Sequence, residues 1–397
     1  MVIKRREFIQ VGSLATASLM LPKFLKAFER PMMVPPGNKV VVVIQFSGGN
    51  DGLNTVIPIR NDIYYNARPK LGITKDLALP LTDEVGLNPA LIGLKQLYDD
   101  GSLGILNSVG YPNPDRSHFR SMDIWQTASN SNQFLTSGWI GRYLDAQCSG
   151  CDKPTQALEI DDILSLALKG ENNNGLAFKD PRRLYSSSNE KYFKDINADH
   201  HRSEETADYL YKTMSETLSS ADYIFQQSKL HPTAETYPGT ELGKDLKTIA
   251  SLILSDINTK LYYVSLGSFD THVNQDNQQK RLFTEFSDAI TAFTSDLKKN
   301  NRFDDVLMFT FSEFGRRVSQ NASGGTDHGT ANNVFLISGG LKQKGIINPM
   351  PDLSDLDEGD LKYKIDFKSV YATVLDKWLG ADDKSILGSQ YDYLNFI

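Results

Sequence analysis

The stretch KVVVVIQFSGGNDG, residues 39–52, decides the fold of this chain. It begins with a continuous run of apolar, mostly β-branched residues, which is typical of a strand buried on both faces in a parallel sheet. The run ends in a glycine-rich loop that carries Asp51. Ligands of such sheets bind beyond the carboxyl ends of the strands, so this loop is a candidate functional site.

The same alternation of short apolar runs and helical patterns continues along the chain. Further strands are predicted at 103–109, 260–266, 306–311 and 334–338, and helices at 89–99, 117–125, 282–297 and 367–379. Strands that alternate with helices predict an α/β fold with a parallel sheet covered on both faces. We therefore expect a three-layer α/β sandwich with a mostly parallel central sheet.

Length and composition narrow the class of protein. The chain has 397 residues, of which 40% are hydrophobic and 23% charged, enough for a sizeable core and unlike a disordered chain. Its net charge of −7 argues against a nucleic-acid-binding protein. We expect one large domain over 31–397, with the polar stretch 150–245 as an inserted cap. Cys148 and Cys151 form either a disulfide or two free thiols.

The first 30 residues differ from the rest. Arg5 and Arg6 precede Phe8 and a weakly apolar run from Val11 to Leu21, which is too short to span a bilayer. This pattern resembles a twin-arginine export signal and predicts a periplasmic or cell-surface protein. If it is not cleaved, the segment would anchor the chain in the membrane. The alternative is a fortuitous arginine pair before an amphipathic or disordered terminus.

Loops beside the predicted strands carry carboxylates and imidazoles. The candidate metal ligands are Asp51, Asp270, His272, Glu313, Asp327 and His328. This mixture suits Zn, Mn or a similar divalent ion better than Ca. Six ligands exceed the need of one tetrahedral ion, so we predict two divalent metal ions. Taken singly, each residue has a simpler interpretation as turn chemistry, a helix cap or an ion pair.

Ser117 is the candidate nucleophile because it stands where a helix should begin. Free N–H groups at that position favour an anionic ligand, and a metal would activate the hydroxyl. The alternative is an ordinary N-cap serine. His118 and Arg120 follow closely and would either bind anionic oxygens or face solvent. We count these three residues as the predicted catalytic group.

Five motifs connect the chain to a known family. They are FSGGNDGLNT at 46–55, RSHFRSMD at 116–123, FDTH at 269–272, FSEFGRR at 311–317 and GTDHGT at 325–330. Together they resemble the exported bacterial family catalogued as domain-of-unknown-function family 1501. That family is similar to the alkaline phosphatase and sulfatase superfamily, which implies an alkaline phosphatase-like fold. It also implies metal ligands at Asp51, Asp270, His272, Glu313 and His328, with Asp327 beside the last of these, and a nucleophile at Ser117.

Two departures from the superfamily pattern limit this resemblance. The Asp-His-Gly motif usually follows the strand directly, whereas Asp327 here lies fourteen residues beyond Glu313. The Cys-x-Pro-Ser-Arg motif of formylglycine sulfatases is absent from the sequence, so that class of sulfatase is not expected.

Three functions remain open from the sequence. The first is an exported metal-dependent hydrolase of phosphate or sulfate esters, with a small anionic ester as its partner and no nucleic acid. The second is a non-catalytic exported binding or scaffold protein with a structural or vestigial metal site. The third is a metalloenzyme that forms no covalent intermediate and does not need Ser117. The sequence does not indicate an oligomeric state.

Overall fold

The computed structural model describes residues 38–147, 154–190 and 205–397. The predicted export signal at 1–30 and the pair Cys148 and Cys151 lie outside the described residues.

The elements of the described ranges are named here in chain order. The strands are β1 Val40–Phe46, β2 Val56–Ile57, β3 Leu79–Pro80, β4 Gly86–Leu87, β5 Leu103–Gly110, β6 Ala157–Glu159, β7 Leu176–Ala177, β8 Leu261–Leu266, β9 Val306–Phe311, β10 Asn332–Ile337, β11 Gly345–Ile346, β12 Leu356–Asp357, β13 Asp360–Leu361 and β14 Ile365–Asp366. The α-helices are α1 Asp62–Ala67, α2 Ile92–Asp99, α3 His118–Thr127, α4 Trp139–Gln147, α5 Pro181–Ser188, α6 Glu205–Gln227, α7 Glu241–Leu254, α8 Gln275–Lys299, α9 Phe367–Thr373 and α10 Asp383–Leu387.

A nine-stranded sheet forms the centre of the molecule. Its order is β11-β5-β10-β9-β1-β8-β6-β7, with β14 beside β5. Strand β1 pairs in parallel with β8 and β9, and all seven of its residues are buried. A strand that is apolar except for Gln45, which pairs with the hydroxyl of Tyr263, can occupy this central place because neither face meets water. The predicted mostly parallel sheet is confirmed.

Alternate residues of β1 point into two separate cores. Val42 and Ile44 belong to the core that contains buried residues of α2, α7 and α8. Val41 and Val43 belong to the core that contains buried residues of α3, α4 and α9. Helices therefore cover both faces of the sheet, and the expected three-layer α/β sandwich is confirmed.

Strand β10 runs against its neighbours. It pairs antiparallel with both β5 and β9. The connection 312–331 therefore leaves β9 and enters β10 at the same edge of the sheet, where the parallel strands β1 and β8 also end. Residues before β10 thereby reach the same edge as residues after β9, which the sequence pattern alone does not indicate.

The polar stretch 150–245 contributes to the sheet as well as to its surroundings. Strand β6 pairs in parallel with β8, and β7 adds the outermost strand. Buried residues of α7, which begins within this stretch, belong to the same core as those of α8. The treatment of 150–245 as an inserted cap stays a prediction.

Candidate functional site

Three histidines surround one carboxylate oxygen at the carboxyl edge of the sheet. Asp270, in the loop after β8, has its Oδ1 atom 3.1 Å from His272 Nε2 and 3.3 Å from His328 Nε2. The same oxygen lies 3.5 Å from His118 Nε2, at the first residue of α3. We call these four residues the histidine cluster. Three separate connections supply it, all of them at this edge.

The outer nitrogen of each histidine is held by an oxygen. His118 Nδ1 lies 2.9 Å from Glu313 Oε1, His272 Nδ1 lies 3.0 Å from Asp327 Oδ1, and His328 Nδ1 lies 2.8 Å from the carbonyl oxygen of Arg116. Such contacts orient each ring and leave its Nε2 atom facing the centre. Metal-binding histidines in proteins are held in the same way.

The donor spacing of the cluster fits a metal ion. One ligand atom each from His118, Asp270 and His328 lies within 4.8 Å of the other two. Bonds of about 2.0–2.1 Å in a tetrahedral site separate neighbouring donors by about 3.3 Å, close to the spacing around Asp270 Oδ1. The Nε2 atom of His118 is buried and has no hydrogen-bond partner among the described residues. A bound cation would satisfy this nitrogen.

A buried arginine fixes the carboxylate of the cluster. Arg316 donates to Asp270 Oδ1 at 2.8 Å and to the carbonyl oxygens of Gly49 and Thr326. The loops after β1 and β8 approach each other closely at Gly48, where a Cβ atom would lie 2.5 Å from the backbone nitrogen of Asp270. A surface ion pair between Glu313 and this arginine, the simpler interpretation of Glu313 from the sequence, is wrong, because both side chains are buried.

The surroundings shift the protonation equilibria of the cluster. Partial burial raises the pKa of Asp270, but the hydrogen bond and charge of Arg316 outweigh it and lower the pKa to about 2. The hydrogen bond that His118 donates to Glu313 raises the pKa of His118, whereas burial lowers the pKa of His328. Asp270 is therefore ionised at neutral pH and His328 favours its neutral form, the states in which both bind metals.

Asp51 has other partners. Its carboxylate is buried, 2.5 Å from Arg68, and also accepts hydrogen bonds from Gln275 and from the backbone of Leu53. These contacts explain it as a structural ion pair beneath the loop. Sequence reasoning missed Arg68, and no local signal marks it. The predicted role of Asp51 as a metal ligand stays a prediction, as do those of Glu313 and Asp327.

The predicted catalytic group separates in the structure. Ser117 is exposed at the N-cap of α3, and its side chain makes no capping hydrogen bond. His118 belongs to the histidine cluster. Arg120 donates to the carbonyl oxygens of residues 130, 131 and 133, and it lies 3.9 Å from the ring centroid of Phe134. Its guanidinium therefore binds the following loop and not the cluster.

A cavity of about 450 Å³ opens beside the cluster. His118, Asp270 and Glu313 form its polar part, and Phe119 and Met122 of α3 form its apolar part. Its volume is within the range of small-molecule sites.

Comparisons with known proteins give one family and several distant structures. The family described as "Protein of unknown function (DUF1501)" matches residues 102–390. No curated protein matches the chain. The C-terminal periplasmic domain of EcEptC from Escherichia coli is 13% identical, with 89% of this chain and 86% of that chain covered and a TM-score of 0.39.

Two further structures have similar scores. The PsFucS1 sulfatase from Pseudoalteromonas sp. is 12% identical, with 96% and 74% covered and a TM-score of 0.42. The phosphonate monoester hydrolase SpPMH from Silicibacter pomeroyi is 10% identical, with 89% and 77% covered and a TM-score of 0.38. At such identities the comparisons carry no information about the activity of this chain.

Proposed function

Since this chain belongs to the family described as "Protein of unknown function (DUF1501)", a description that assigns no reaction, we propose a function from its own site: metal-dependent hydrolysis of phosphate or sulfate esters. The observation that carries the proposal is the histidine cluster. Its Nε2 atoms face one ionised carboxylate oxygen, while their Nδ1 atoms are held by Glu313, Asp327 and a backbone carbonyl.

The residues fit at least one divalent ion, with Zn or Mn as the first candidates. His118, Asp270 and His328 would hold it, and His272 Nε2 faces the same centre. A second ion would use the carboxylate of Asp327. A bound metal supplies positive charge that lowers the pKa of a hydroxyl nucleophile and stabilises the charge on the departing oxygen. Glu313 would position His118, and Arg316 would keep Asp270 charged and in place.

Ser117 is the residue we propose to carry the transferred group. It is exposed at the start of α3, next to His118 of the cluster, and its hydroxyl is not used for capping. Its Oγ would bond to the phosphorus or sulfur atom as the ester oxygen leaves with the serine proton as an alcohol. Water would then displace the serine oxygen, releasing phosphate or sulfate and restoring the hydroxyl.

The proposed setting is outside the cytoplasm. It rests on the arginine pair Arg5 and Arg6, which precedes the part of the chain that the structure describes. Within the described ranges, no helix has the length and apolar character required to cross a bilayer. We propose a small anionic ester as the partner and no nucleic acid, in line with the net charge of −7.

The test uses the full chain, stripped of metal with a chelator and reloaded with Zn, Mn or Mg singly. Each form is assayed on a panel of aryl and alkyl phosphate and sulfate esters. We expect turnover only with metal, and a loss of at least about a thousandfold in Ser117→Ala with the metal content unchanged. Ser385→Ala, which alters another exposed serine at the start of a helix, should leave turnover unchanged.

Two results would contradict the proposal. A metal-loaded protein that hydrolyses no ester of the panel would overturn it and favour the binding or scaffold protein. Full turnover in Ser117→Ala, together with its loss in Asp327→Ala, would overturn the serine nucleophile and favour a metalloenzyme without a covalent intermediate.

A further inference from the structure

Two adjoining cavities lie next to the loop that connects β5 to α3. Their volumes are about 650 and 570 Å³, and both are lined by Tyr111 and Asn113. We call the pair the groove. Phe314 lines the larger cavity and packs against the rings of His118 and His328, with centroids 4.8 and 4.7 Å away. The groove is therefore next to the histidine cluster, on the other side of one aromatic ring.

The larger cavity has aromatic walls. Tyr363 is 39% exposed there and lies against Gly110, where a Cβ atom would be 2.9 Å from its own Cβ. Trp125 also lines this cavity, and its buried indole N–H has no acceptor among the described residues. Trp125 therefore offers the cavity a ring surface and not its N–H group.

The smaller cavity is polar. Asparagine, serine and aspartate side chains line it, together with the buried Lys368. The amide groups of Asn113 and Asn132 make no hydrogen bond with any residue that the structure describes. At the rim of the larger cavity, Lys364 is exposed and forms no salt bridge within the described ranges. The groove thus combines aromatic rings, unengaged amides and lysine side chains, among them the exposed Lys364, whose charge also acts on Asp352.

This combination matches the chemistry of a sugar. A sugar ring offers an apolar C–H face to an aromatic ring, and hydroxyls along its edge to amides and carboxylates. A single-stranded nucleic acid would require a basic track along the groove, whereas Asp357 and Asp115 also line it. We propose that the groove binds an acidic saccharide chain, and that this chain carries the ester cleaved at the histidine cluster. The second half of this statement rests on the proposed function.

Binding can be measured without catalysis. The full chain, with metal removed, is titrated calorimetrically with neutral, carboxylated and sulfated oligosaccharides of increasing length. We expect at least one acidic series to bind, with affinity that rises with length as both cavities fill. Tyr363→Ala should weaken binding about tenfold, whereas Tyr363→Phe should stay within about twofold because it keeps the ring.

A matched control is available in Tyr393, which is also 39% exposed and does not line the groove. Tyr393→Ala should bind saccharide like the unaltered chain. Lys364→Ala should weaken binding of acidic oligosaccharides about tenfold and leave their neutral counterparts unchanged. Thermal melting of each variant shows whether it is folded, and Tyr363→Phe keeps the test valid if Tyr363→Ala is not.

The outcomes separate the two proposals. If no oligosaccharide binds, if extended peptides bind instead, or if Tyr363→Ala and Tyr393→Ala behave alike, the groove proposal is overturned, even where small esters are hydrolysed. If saccharide binds as expected but no ester is hydrolysed, the groove proposal is upheld as binding and the proposed hydrolysis fails.

Discussion

Asp51 and Asp270 follow neighbouring strands of one sheet at one edge, yet their surroundings are opposite. The side chain of Asp51 is 1% exposed and that of Asp270 is 49% exposed. Each has an arginine: Arg68 in the first case and Arg316 in the second. The difference lies in what else surrounds the carboxylate, which is an amide and a backbone N–H for Asp51 and three imidazoles for Asp270.

This difference separates a carboxylate whose charge is compensated by hydrogen-bond donors from one that faces the metal donors of the proposed site. Every contact of Asp51 donates a hydrogen bond, so its charge is compensated within the fold. The histidines around Asp270 present nitrogens that can each give up a proton and accept a metal. The role of a carboxylate that follows a strand therefore depends on its hydrogen-bonding and ionic partners. Several of these partners come from distant parts of the chain.

The largest expected effect concerns the exposed carboxylate, Asp270, and the histidines around it. His328→Ala removes one nitrogen of the cluster but no buried charge. We expect its metal content to fall below one ion per chain and its turnover of the preferred ester to fall by at least about 10⁴-fold. The unfolding free energy of the metal-free protein should change by less than about 1.5 kcal/mol. Metal analysis, kinetics and denaturation check these values. Undiminished turnover would show that the histidine cluster takes no part in the proposed reaction.

Loss of the partner of the buried carboxylate, Asp51, should lower the unfolding free energy of the protein. Arg68→Ala leaves the carboxylate of Asp51 buried without its cation, which costs about 3–5 kcal/mol of unfolding free energy. Denaturation by urea at neutral pH measures this loss. A loss of unfolding free energy smaller than about 1 kcal/mol would show that the pair does not stabilise this loop.

Lys95 and Asp99 provide the matched control. They also approach to 2.5 Å, but their side chains are 22% and 57% exposed. Lys95→Ala should therefore cost no more than about 0.5 kcal/mol. Equal losses in Arg68→Ala and Lys95→Ala would mean that burial does not decide the strength of these pairs.

Glu159, at the end of β6, is a third carboxylate, and no salt bridge to a described residue compensates it. Burial raises its pKa from 4.5 to about 7, against a hydrogen bond from Ser165. A raised carboxyl pKa destabilises the fold as pH increases through this interval. Glu159→Gln should have no effect near pH 4 and should stabilise the protein by about 3 kcal/mol at pH 8, at about 1.4 kcal/mol per pKa unit. Thermal melting across pH checks this, and a gain that is constant with pH would contradict it.

Much of the fold was accessible from local pattern. The apolar run of β1, the spacing of α8 and the position of Ser117 before α3 are each visible in a short window, and the structure contains all three. The predicted fold class and the resemblance to family 1501 are confirmed. Strand-end logic also named Asp270, His272 and His328, which the structure brings together.

What sequence reasoning missed depends on distant partners. The reversed direction of β10 leaves no trace in its apolar pattern, because a buried strand has the same composition in either direction. Arg68 meets Asp51 through a loop 17 residues away, and Glu313 turns towards a histidine from another connection. Such pairings depend on tertiary packing, which periodicity does not encode.

The reversal of β10 has a consequence for how this protein can diverge. The base of the connection 312–331 is closed by a bridge between Arg316 and His328, while its tip is a short turn in which Asn321 bonds to Gly325. Nothing lies within 4 Å of a side chain added at Gly324. Insertions beside Gly324 would reshape the perimeter of the candidate site, while Asn321 at the same tip donates to the carbonyl oxygen of His272 and to Asp327 and ties the turn to the centre. The specificity of the proposed site can therefore change by lengthening one turn beside Gly324, as long as the contacts of Asn321 are kept.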